Sequence, residues 1–251
     1  MNILVCVKRV PLTGGKMTLT DDQRAISTKH LGFTVSPHEE CAVEEAVQIV
    51  EREGGSVTVL TLGPAEAEEQ LRDMMAIGAD RAIHLLSGEQ EWDPQATAAA
   101  IVTAIRADEQ FYDLILFGNE SADAGNYQVA IRVAHALGLP SVTGIKRITL
   151  DAGRARCEQE VPGGRDVYDV SLPAVVSVKE GINLPRYPSV PGRLRAKRKP
   201  VDSSGPERPA SRLEMVRLVL PPDSGKQVQV LGTGAEAAPA VVALLSELGV
   251  L

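Results

Sequence analysis

The sequence predicts an α/β fold with a doubly wound, mainly parallel sheet, an added β-hairpin region, and a C-terminal arm and helix. Two observations carry this prediction. Short apolar runs alternate with helical patterns through the first 140 residues, as strand–helix–strand units do. The apolar runs are nearly continuous rather than alternating, which indicates strands covered by helices on both faces.

The first half of the chain supplies four strands and four helices to this prediction. The strands are predicted at residues 2–7, 57–62, 82–86 and 114–117, and the helices at residues 42–50, 64–77, 97–107 and 126–137. The acidic residues Glu40, Glu44 and Glu45 lie in the first turns of the first helix, where carboxylates interact favourably with the helix dipole. Pro64 is expected at the first position of the second helix, and Gly78 ends it.

The pattern changes after residue 140. Strand-like runs at residues 142–150, 154–161 and 167–178, with turns between them, predict a hairpin meander added to the sheet. Residues 181–212 contain prolines and basic residues with little periodicity and are expected to form an extended arm. A last helix is predicted at residues 239–248. The predicted organisation is a nucleotide-binding domain at 1–180 and a basic arm with a partner-wrapping helix at 181–251.

Composition limits the classes of function. The chain has 251 residues and a formal net charge of −7, so nucleic acid and anionic membranes are not expected partners. The three cysteines, Cys6, Cys41 and Cys157, include no CxxC pair, which argues against a zinc site or a disulfide framework. No run approaches the ~20 apolar residues that span a bilayer, and no leader is recognisable. We therefore expect no membrane insertion, no bound metal and a reducing, cytoplasmic location.

The predicted ligand site lies at the carboxyl ends of the strands, where doubly wound sheets bind ligands. The candidate loops are residues 8–15, 63–64 and 118–125. The last of these leads through Asn126 to Gln128 and combines glycines with polar side chains, notably Asp123. Backbone N–H groups in such a loop, followed by a helix N-terminus, favour a phosphate. The alternative is an ordinary strand–helix connection; a Walker pattern is absent, so ATP hydrolysis is not predicted.

Other motifs carry less information. Gly232 to Ala237 match GxGxxA, but no second strand and acidic residue follow, so a turn before the last helix is the better interpretation. His84 and His135 are predicted to be structural, while His38 stands in a candidate ligand loop. Without a catalytic triad or an HExxH motif, the sequence points to a binding protein and not to an enzyme.

The basic arm is the most unusual segment. It has no acidic residue between Glu180 and Asp202, and four prolines restrict its backbone. Its basic residues are Arg186, Arg193, Arg195, Lys197, Arg198 and Lys199. Only Tyr187 offers a ring near these charges, which argues against a single-strand nucleic-acid site. Docking of an acidic protein partner is the functional interpretation; a solvated loop is the alternative.

Six blocks, in order along nearly the whole chain, resemble the beta subunit of electron transfer flavoprotein. They are VCVKRVP near the N-terminus, SPHEECAVEEA from Ser36, AIGADRAIH from Ala76, GNESADAGNYQ from Gly118, LPAVV from Leu172, and NLPRY from Asn183 continuing to AKRK at Lys199. The resemblance implies the adenine-nucleotide-binding fold shared by universal-stress and electron-transfer-flavoprotein domains. Ser36 stands where the family usually has asparagine, and His38 where it has an aromatic residue near the flavin.

The resemblance implies a heterodimer with an alpha subunit, which holds most of the redox FAD. The pair would carry electrons from acyl-CoA or related dehydrogenases to a membrane quinone oxidoreductase or another acceptor, as in fatty acid beta-oxidation. This chain would bury an AMP, or a second FAD in bifurcating relatives. By position, the nucleotide contacts would be Cys6, Ser36, Pro37, His38, Glu39, Leu62, Gly118, Asn119, Glu120, Ser121, Ala122, Asp123, Ala124, Gly125, Asn126, Tyr127, Gln128 and Val129. Dehydrogenase docking would use Val190, Pro191, Arg193, Arg195, Lys197, Arg198 and Lys199, with Val190 as the apolar anchor.

Two rival interpretations remain at this point. One is a stand-alone ATP-binding sensor of the universal-stress type, in which the arm and last helix have no purpose. The other is an adenylate-forming or pyrophosphate-cleaving enzyme of similar fold, which lacks the required glycine–serine phosphate loop.

Overall fold

A computed structural model describes residues 1–12, 14, 17–88, 90–222 and 229–251. The chain divides into two compact units. The first comprises Met1–Thr18 and Ile26–Met215, and the second comprises Leu19–Ala25 and Val216–Leu251.

The elements follow the alternation that the sequence predicts. The strands are β1 (Asn2–Cys6), β2 (Arg9–Pro11), β3 (Phe33–Val35), β4 (Ser56–Gly63), β5 (Arg81–Leu86), β6 (Leu114–Gly118), β7 (Ser141–Asp151), β8 (Arg154–Val161), β9 (Gly164–Ser171), β10 (Ala174–Val178) and β11 (Val201–Ser204). The helices are α1 (Pro37–Glu53), α2 (Glu68–Ile77), α3 (Pro94–Ala107), α4 (Val129–Leu137), α5 (Val190–Ala196) and α6 (Ala238–Glu247), with short 3-10 turns at Ala65–Ala67 and Gly234–Ala237.

The central sheet has nine strands in the order β11-β5-β4-β1-β6-β10-β7-β8-β9. Pairing is parallel from β11 to β7 and antiparallel from β7 through β8 to β9. From β1 the chain first builds outward through β4 and β5, and then returns to place β6 on the other side of β1. Strand order therefore reverses between β1 and β6, which is the switch point of the sheet.

Helices cover both faces of this sheet, as the continuous apolar strands predict. Along β1, Ile3 and Val5 face one buried cluster, which includes side chains of α1 and α2. Leu4 and Cys6 face the opposite cluster, which includes side chains of α3 and α4. The predicted doubly wound, mainly parallel fold is confirmed.

Two helices begin later than predicted, whereas α1 and α3 begin earlier, at Pro37 and Pro94. Pro64 is not the first residue of a helix: it precedes the 3-10 turn, and α2 begins at Glu68. The helix expected from Asn126 begins at Val129, because Gly125 and Tyr127 have φ of 53° and 56° and cannot continue a right-handed helix. Three residues of the predicted nucleotide site, Asn126 to Gln128, therefore lie in a loop.

The strand predicted at residues 167–178 is also wrong, because it is two strands with different neighbours. β9 is the antiparallel edge of the sheet, whereas β10 lies between β6 and β7 and runs parallel to both. Pro173 lies at the break; proline lacks the N–H that a ladder needs, so it separates the two strands. The meander expected from the sequence consists of β7, β8 and β9.

Two further segments are more regular than predicted. In the candidate loop 8–15, β2 pairs antiparallel with β3; Thr13 and Gly15 lie outside the described residues. The arm is not extended throughout: it forms α5, capped by the Ser189 hydroxyl, and then β11, which pairs with β5. Periodicity could not reveal β11, since VDSS is short and polar and its pairing is long-range.

The last helix is confirmed as α6, although its side chains are not buried. The GxGxxA motif forms the 3-10 turn that leads into it, and Val228, which begins the preceding strand-like run, lies outside the described residues. Within the described part of the chain, no helix has the length and apolar character needed to cross a bilayer.

Candidate functional site

Three loops meet at the side chain of Lys8, directly beyond the switch point. Lys8 follows β1, Asp123 lies in the loop after β6, and Glu91 lies in the loop after β5. The Lys8 ammonium is 2.7 Å from Asp123 Oδ2 and 2.6 Å from Glu91 Oε1. Burial lowers the pKa of Lys8, but the two carboxylates outweigh it, so the pKa lies above its ordinary value. A fixed positive charge therefore stands where doubly wound sheets bind ligands.

Glu39 lies beneath this cation, in the first turn of α1. Its Oε2 accepts a hydrogen bond of 2.8 Å from the backbone N–H of Lys8. The side chain is buried, and burial raises its pKa to about 8, against the lowering effect of the Lys8 N–H and charge. Burial, with Glu39 nearby, also raises the pKa of the Cys6 thiol at the end of β1.

The N-terminus of α1 and the loop after β6 are in direct contact. Ser36, the fully buried residue before α1, accepts a 3.0 Å hydrogen bond on Oγ from the backbone N–H of Ala122. Gly118 makes the close approach possible, since a Cβ there would lie 2.6 Å from Glu39 Cγ and 3.0 Å from its backbone nitrogen. The two predicted site segments, 36–39 and 118–129, are thus held together by one hydroxyl and one glycine.

The start of the loop is fixed from the other side by β10. Asn119 donates its backbone N–H to Val178 O at 2.9 Å. Its Oδ1 accepts from Ser177 Oγ at 3.3 Å, and that hydroxyl in turn accepts from Gly144 N at 3.4 Å. This chain of hydrogen bonds links the loop to β7, so its first residues are rigidly placed.

His38 joins the same loop to the base of the arm. Its Nδ1 accepts a 2.7 Å hydrogen bond from the Glu180 N–H. In the neutral form the ring proton is therefore on Nε2. Nε2 lies 3.4 Å from Glu120 Oε1. These three residues border a polar cleft of about 450 Å³, which Lys146 and Lys179 also line. The half-buried His38 is therefore a connector between the loop and the arm.

The remaining predicted nucleotide residues make contacts away from Lys8 and Ser36. Leu62 and Val129 pack against the second buried cluster. Tyr127 is 55% exposed, and Gln128 accepts hydrogen bonds from Arg132 on Oε1. Asp123 uses its other oxygen, Oδ1, to accept from the Ala124 N–H. The exposed Pro37 opens α1, and the remaining residues, Ser121 and Gly125, form the turn closed by the Gly125 N–H to Ser121 O bond.

The arm presents an apolar ridge, defined as Leu184, Tyr187, Val190 and Leu194. These side chains are 89%, 95%, 73% and 60% exposed. Pro191 opens α5, and Gly192 lets the helix approach α2, since a Cβ there would lie 2.6 Å from Ala76 O. Val190 and Leu194 of the ridge are thus carried on a short helix that packs closely on α2, and Leu184 and Tyr187 precede that helix.

The basic residues of the arm divide into two groups. Arg193 pairs with Asp73 at 3.0 Å, and Lys199 donates to the carbonyls of Met75 and Ala79 at the end of α2. Burial lowers the pKa of Lys199. The side chains of Arg195, Lys197 and Arg198 are exposed. The structure therefore uses two of the predicted docking cations to hold the arm and leaves three on the surface.

Two members of the central cluster were not among the predicted site residues. Lys8 stood at the start of a candidate loop without a role, and nothing in the sequence marked Glu91. The sequence signal that could have identified Lys8 is its position directly after a predicted strand. Glu91 is identified only by its 2.6 Å distance from Lys8, which the sequence does not show. Among the described residues, no group of three or more histidine, cysteine, aspartate or glutamate side chains is arranged to hold a metal ion.

Fold and switch point together define an α/β protein of the doubly wound class. A family model described as "Electron transfer flavoprotein domain" matches residues 25–206. The chain is 34% identical to the electron transfer flavoprotein subunit beta of Bacillus subtilis (strain 168), with 98% of this chain and 97% of the relative covered. The corresponding subunit of Syntrophomonas wolfei is 36% identical, with coverage of 92% and 90%. That of Mycobacterium bovis is 38% identical, with coverage of 80% and 77%.

The chain therefore belongs to the electron transfer flavoprotein beta-subunit family. The resemblance drawn from the six sequence blocks is confirmed.

Proposed function

We propose that this chain is the beta subunit of a heterodimeric, cytoplasmic electron transfer flavoprotein. The heterodimer carries electrons from acyl-CoA or related dehydrogenases, as in fatty acid beta-oxidation, to a quinone oxidoreductase or another acceptor. The observation that supports it most directly is the meeting of three loops at Lys8, at the switch point of a chain that belongs to this family. In this role the chain binds and positions; it is a carrier subunit without catalytic residues of its own.

The bound nucleotide is AMP, or a second FAD in a bifurcating assembly. The residues at the switch point fit an adenosine phosphate: Lys8 supplies a cation, and the N-terminus of α4 has no acidic residue in its first turn, so its free N–H groups favour an anion. Asp123 and the backbone of residues 118–129 lie around this position. The redox FAD, held mainly by the alpha subunit, accepts and releases the electrons.

The basic arm is the docking surface for the dehydrogenase. Its apolar ridge offers contact area, with Val190 as the anchor, and the exposed cations Arg195, Lys197 and Arg198 lie in or directly after α5. Exposed apolar side chains on a segment with charges of one sign are typical of a recognition surface for an acidic partner. The proline-rich backbone and the anchors at Arg193 and Lys199 reduce the ordering that docking requires.

The second unit is the contact for the alpha subunit. Val241 and Leu244 of α6 and Leu248, its C-cap, recur at helical spacing and are 41%, 38% and 65% exposed. An apolar helical stripe of this kind is stabilised by burial against another chain.

Co-expression with the cognate alpha subunit tests the assembly and its cofactors together. We expect a yellow heterodimer that releases FAD and AMP on denaturation, or FAD alone in a ratio of two per heterodimer if the assembly bifurcates. Mass spectrometry of the released nucleotides distinguishes these two outcomes. A heterodimer without any adenine nucleotide in this chain, or a homodimer that retains ATP, would contradict the proposal.

The Val190→Asp substitution tests the docking surface. A carboxylate at the centre of the ridge removes apolar contact and repels an acidic partner, so we expect the KM for the heterodimer in a dehydrogenase-coupled assay to rise at least about tenfold. Val167→Asp provides a matched control, because Val167 is 48% exposed on β9. Full dehydrogenase-linked transfer with Val190→Asp would refute this part of the proposal.

A further inference from the structure

The Lys8 ammonium is shared between two carboxylates of unequal freedom. Asp123 has a side chain that is 16% exposed, and its second oxygen accepts the Ala124 N–H at 2.7 Å. The Glu91 side chain is 68% exposed. Of the two partners, Asp123 is therefore fixed in place, whereas Glu91 can rotate into solvent without losing burial.

The backbone around Glu91 is held independently of its carboxylate. Arg208 donates to the Glu91 carbonyl at 3.1 Å. Next in the chain, the buried Trp92 donates Nε1–H to Ser87 O at 3.1 Å, and Asp93 caps α3 through the N–H groups of Gln95 and Ala96. Release of Glu91 from Lys8 is therefore a side-chain rotation and leaves the loop in place.

Charge around Lys8 opposes a second anion while Glu91 is present. One ammonium already faces the carboxylates of Glu91 and Asp123, so an approaching phosphate meets local negative charge and a cation with two of its three N–H donors directed at carboxylates. Glu39, whose pKa burial raises to about 8, adds little charge at neutral pH. Among the described residues, rotation of Glu91 leaves Asp123 as the paired carboxylate of Lys8 and makes one more N–H donor available to the ligand.

We propose that Lys8 is the phosphate-contacting cation of the nucleotide site and that Glu91 is its gate, a carboxylate that occupies the ammonium until a phosphate group displaces it. The proposal rests on the proposed nucleotide-binding function and adds two residues to it. The part of the ligand that Lys8 contacts is a phosphate monoester or diester attached to adenosine, and not the adenine or the ribose.

The Glu91→Gln substitution tests the gate by equilibrium binding of AMP to the full chain, in the assembly in which it purifies and after removal of bound nucleotide. The exposed ion pair between Lys8 and Glu91 contributes little stability. Its removal, together with loss of the repulsion between the Glu91 carboxylate and the phosphate, should lower the Kd for AMP about fivefold. The Kd for adenosine should not change, because adenosine has no phosphate. Glu109→Gln changes the net charge equally at an exposed position in the loop between α3 and β6, at the amino-terminal ends of the strands, and should leave both constants unchanged.

Lys8→Met completes the test. It should raise the Kd for AMP about tenfold or more, since a charge-assisted hydrogen bond to the phosphate is lost. In the Lys8→Met background, Glu91→Gln should change the Kd less than about twofold, because the gate acts through Lys8. The gain from Glu91→Gln alone should also shrink as salt rises from about 0.05 M to 0.5 M.

The possible failures are distinguishable. The role of Glu91 as a gate is refuted if the wild-type chain binds AMP and Glu91→Gln leaves the AMP affinity unchanged or strengthens adenosine binding equally. The proposed nucleotide binding stands in that case. If the wild-type chain binds neither AMP nor FAD, the proposed nucleotide site is overturned, and the gate with it.

Discussion

At the scale of single residues, Glu39 has the most unusual environment in the candidate site. It is a buried carboxyl that accepts the Lys8 N–H, and burial raises its pKa to about 8 from an ordinary value of 4.5. Between these two values the folded chain retains a proton that the unfolded chain releases. Stability contributed by this group is thus fully present below about pH 4.5 and is lost as pH rises toward 8.

The Glu39→Gln substitution should remove this dependence. The wild type should lose up to about 1.4 kcal/mol of unfolding free energy per pH unit through this group between pH 5 and 8, whereas glutamine has no proton to lose and still accepts the Lys8 N–H. Urea unfolding at several pH values measures the difference. The exposed Glu66→Gln change is the control and should follow the wild type; parallel curves for Glu39→Gln would disprove the assignment.

Gly118 is the second residue on which the site depends. A methyl group there would overlap Glu39 Cγ at 2.6 Å and press on its backbone nitrogen at 3.0 Å. We expect Gly118→Ala to move α1 away from the loop after β6, to destabilise the chain by about 1–3 kcal/mol, and to weaken AMP binding.

Thermal unfolding and AMP titration measure both effects of Gly118→Ala. Gly164→Ala, at a position where a Cβ meets nothing within 4 Å, is the matched control. Wild-type AMP affinity in Gly118→Ala would show that the close approach does not shape the site.

Sequence reasoning could propose site residues where the local chain carries a signal and could not where the signal is a distance. Asp123 was predicted from its glycine-rich turn, and Ser36 from the family resemblance. Lys8 and Glu91 were not, because their contact joins loops after β1 and β5, and the sequence records no such distance.

At the scale of elements, Arg186 and Asn183 attach the arm to α1. Arg186 forms paired hydrogen bonds to Glu44, whose side chain is 3% exposed, and further bonds to the exposed Glu51. Burial opposes ionisation of Glu44, but the bonds from Arg186 outweigh it and hold its pKa below the ordinary value. Asn183 adds a bond to the Cys41 carbonyl. The base of the arm is therefore fixed to the same helix whose N-terminus contacts the loop after β6.

The Arg186→Met substitution should cost about 2–3 kcal/mol of unfolding free energy, because it leaves the buried Glu44 carboxylate without its charged partner and with the Gln48 amide as its remaining side-chain donor among the described residues. Glu51→Gln removes an exposed partner of the same arginine and should cost less than about 1 kcal/mol. Chemical denaturation of both variants and of Arg186→Met combined with Glu44→Gln measures these effects. The double variant should recover much of the loss; an equal cost for Arg186→Met and Glu51→Gln would contradict this account.

The strands and helices of the parallel core were predictable because each carries its own apolar pattern. The exceptions share a physical cause. β11 is a polar four-residue strand that exists only through its pairing with β5, and β10 follows β9 without a helix and then enters the middle of the sheet. Long-range pairing decides both, and local periodicity does not encode it.

At the scale of the whole molecule, the ridge lies on the arm in the first unit and the apolar stripe lies on α6 in the second unit. The proposed nucleotide site, dehydrogenase docking and alpha-subunit contact therefore use different segments of the chain. Independent substitution of each segment should affect one function and leave the other two intact.

The combined Val241→Asp and Leu244→Asp substitution tests this separation. Two carboxylates on the stripe should prevent stable pairing with the alpha subunit, since the apolar area that stabilises association is lost. The main unit should keep its unfolding temperature within about 2 °C, as α6 has no buried residues. Size-exclusion chromatography with light scattering measures the assembly, and Ser246→Asp on the same helix is the control. Heterodimer formation at wild-type yield would place the alpha-subunit contact elsewhere.

The double attachment of the arm has an evolutionary consequence. Arg186 fastens one end to α1, and β11 fastens the other end by adding a strand beside β5. The intervening segment, with its ridge and surface cations, spans two fixed points. Its side chains can diverge as docking partners change, but an insertion or deletion would pull β11 out of register or strain the arginine clamp. Natural variation between these two points should therefore be rich in substitutions and poor in changes of length.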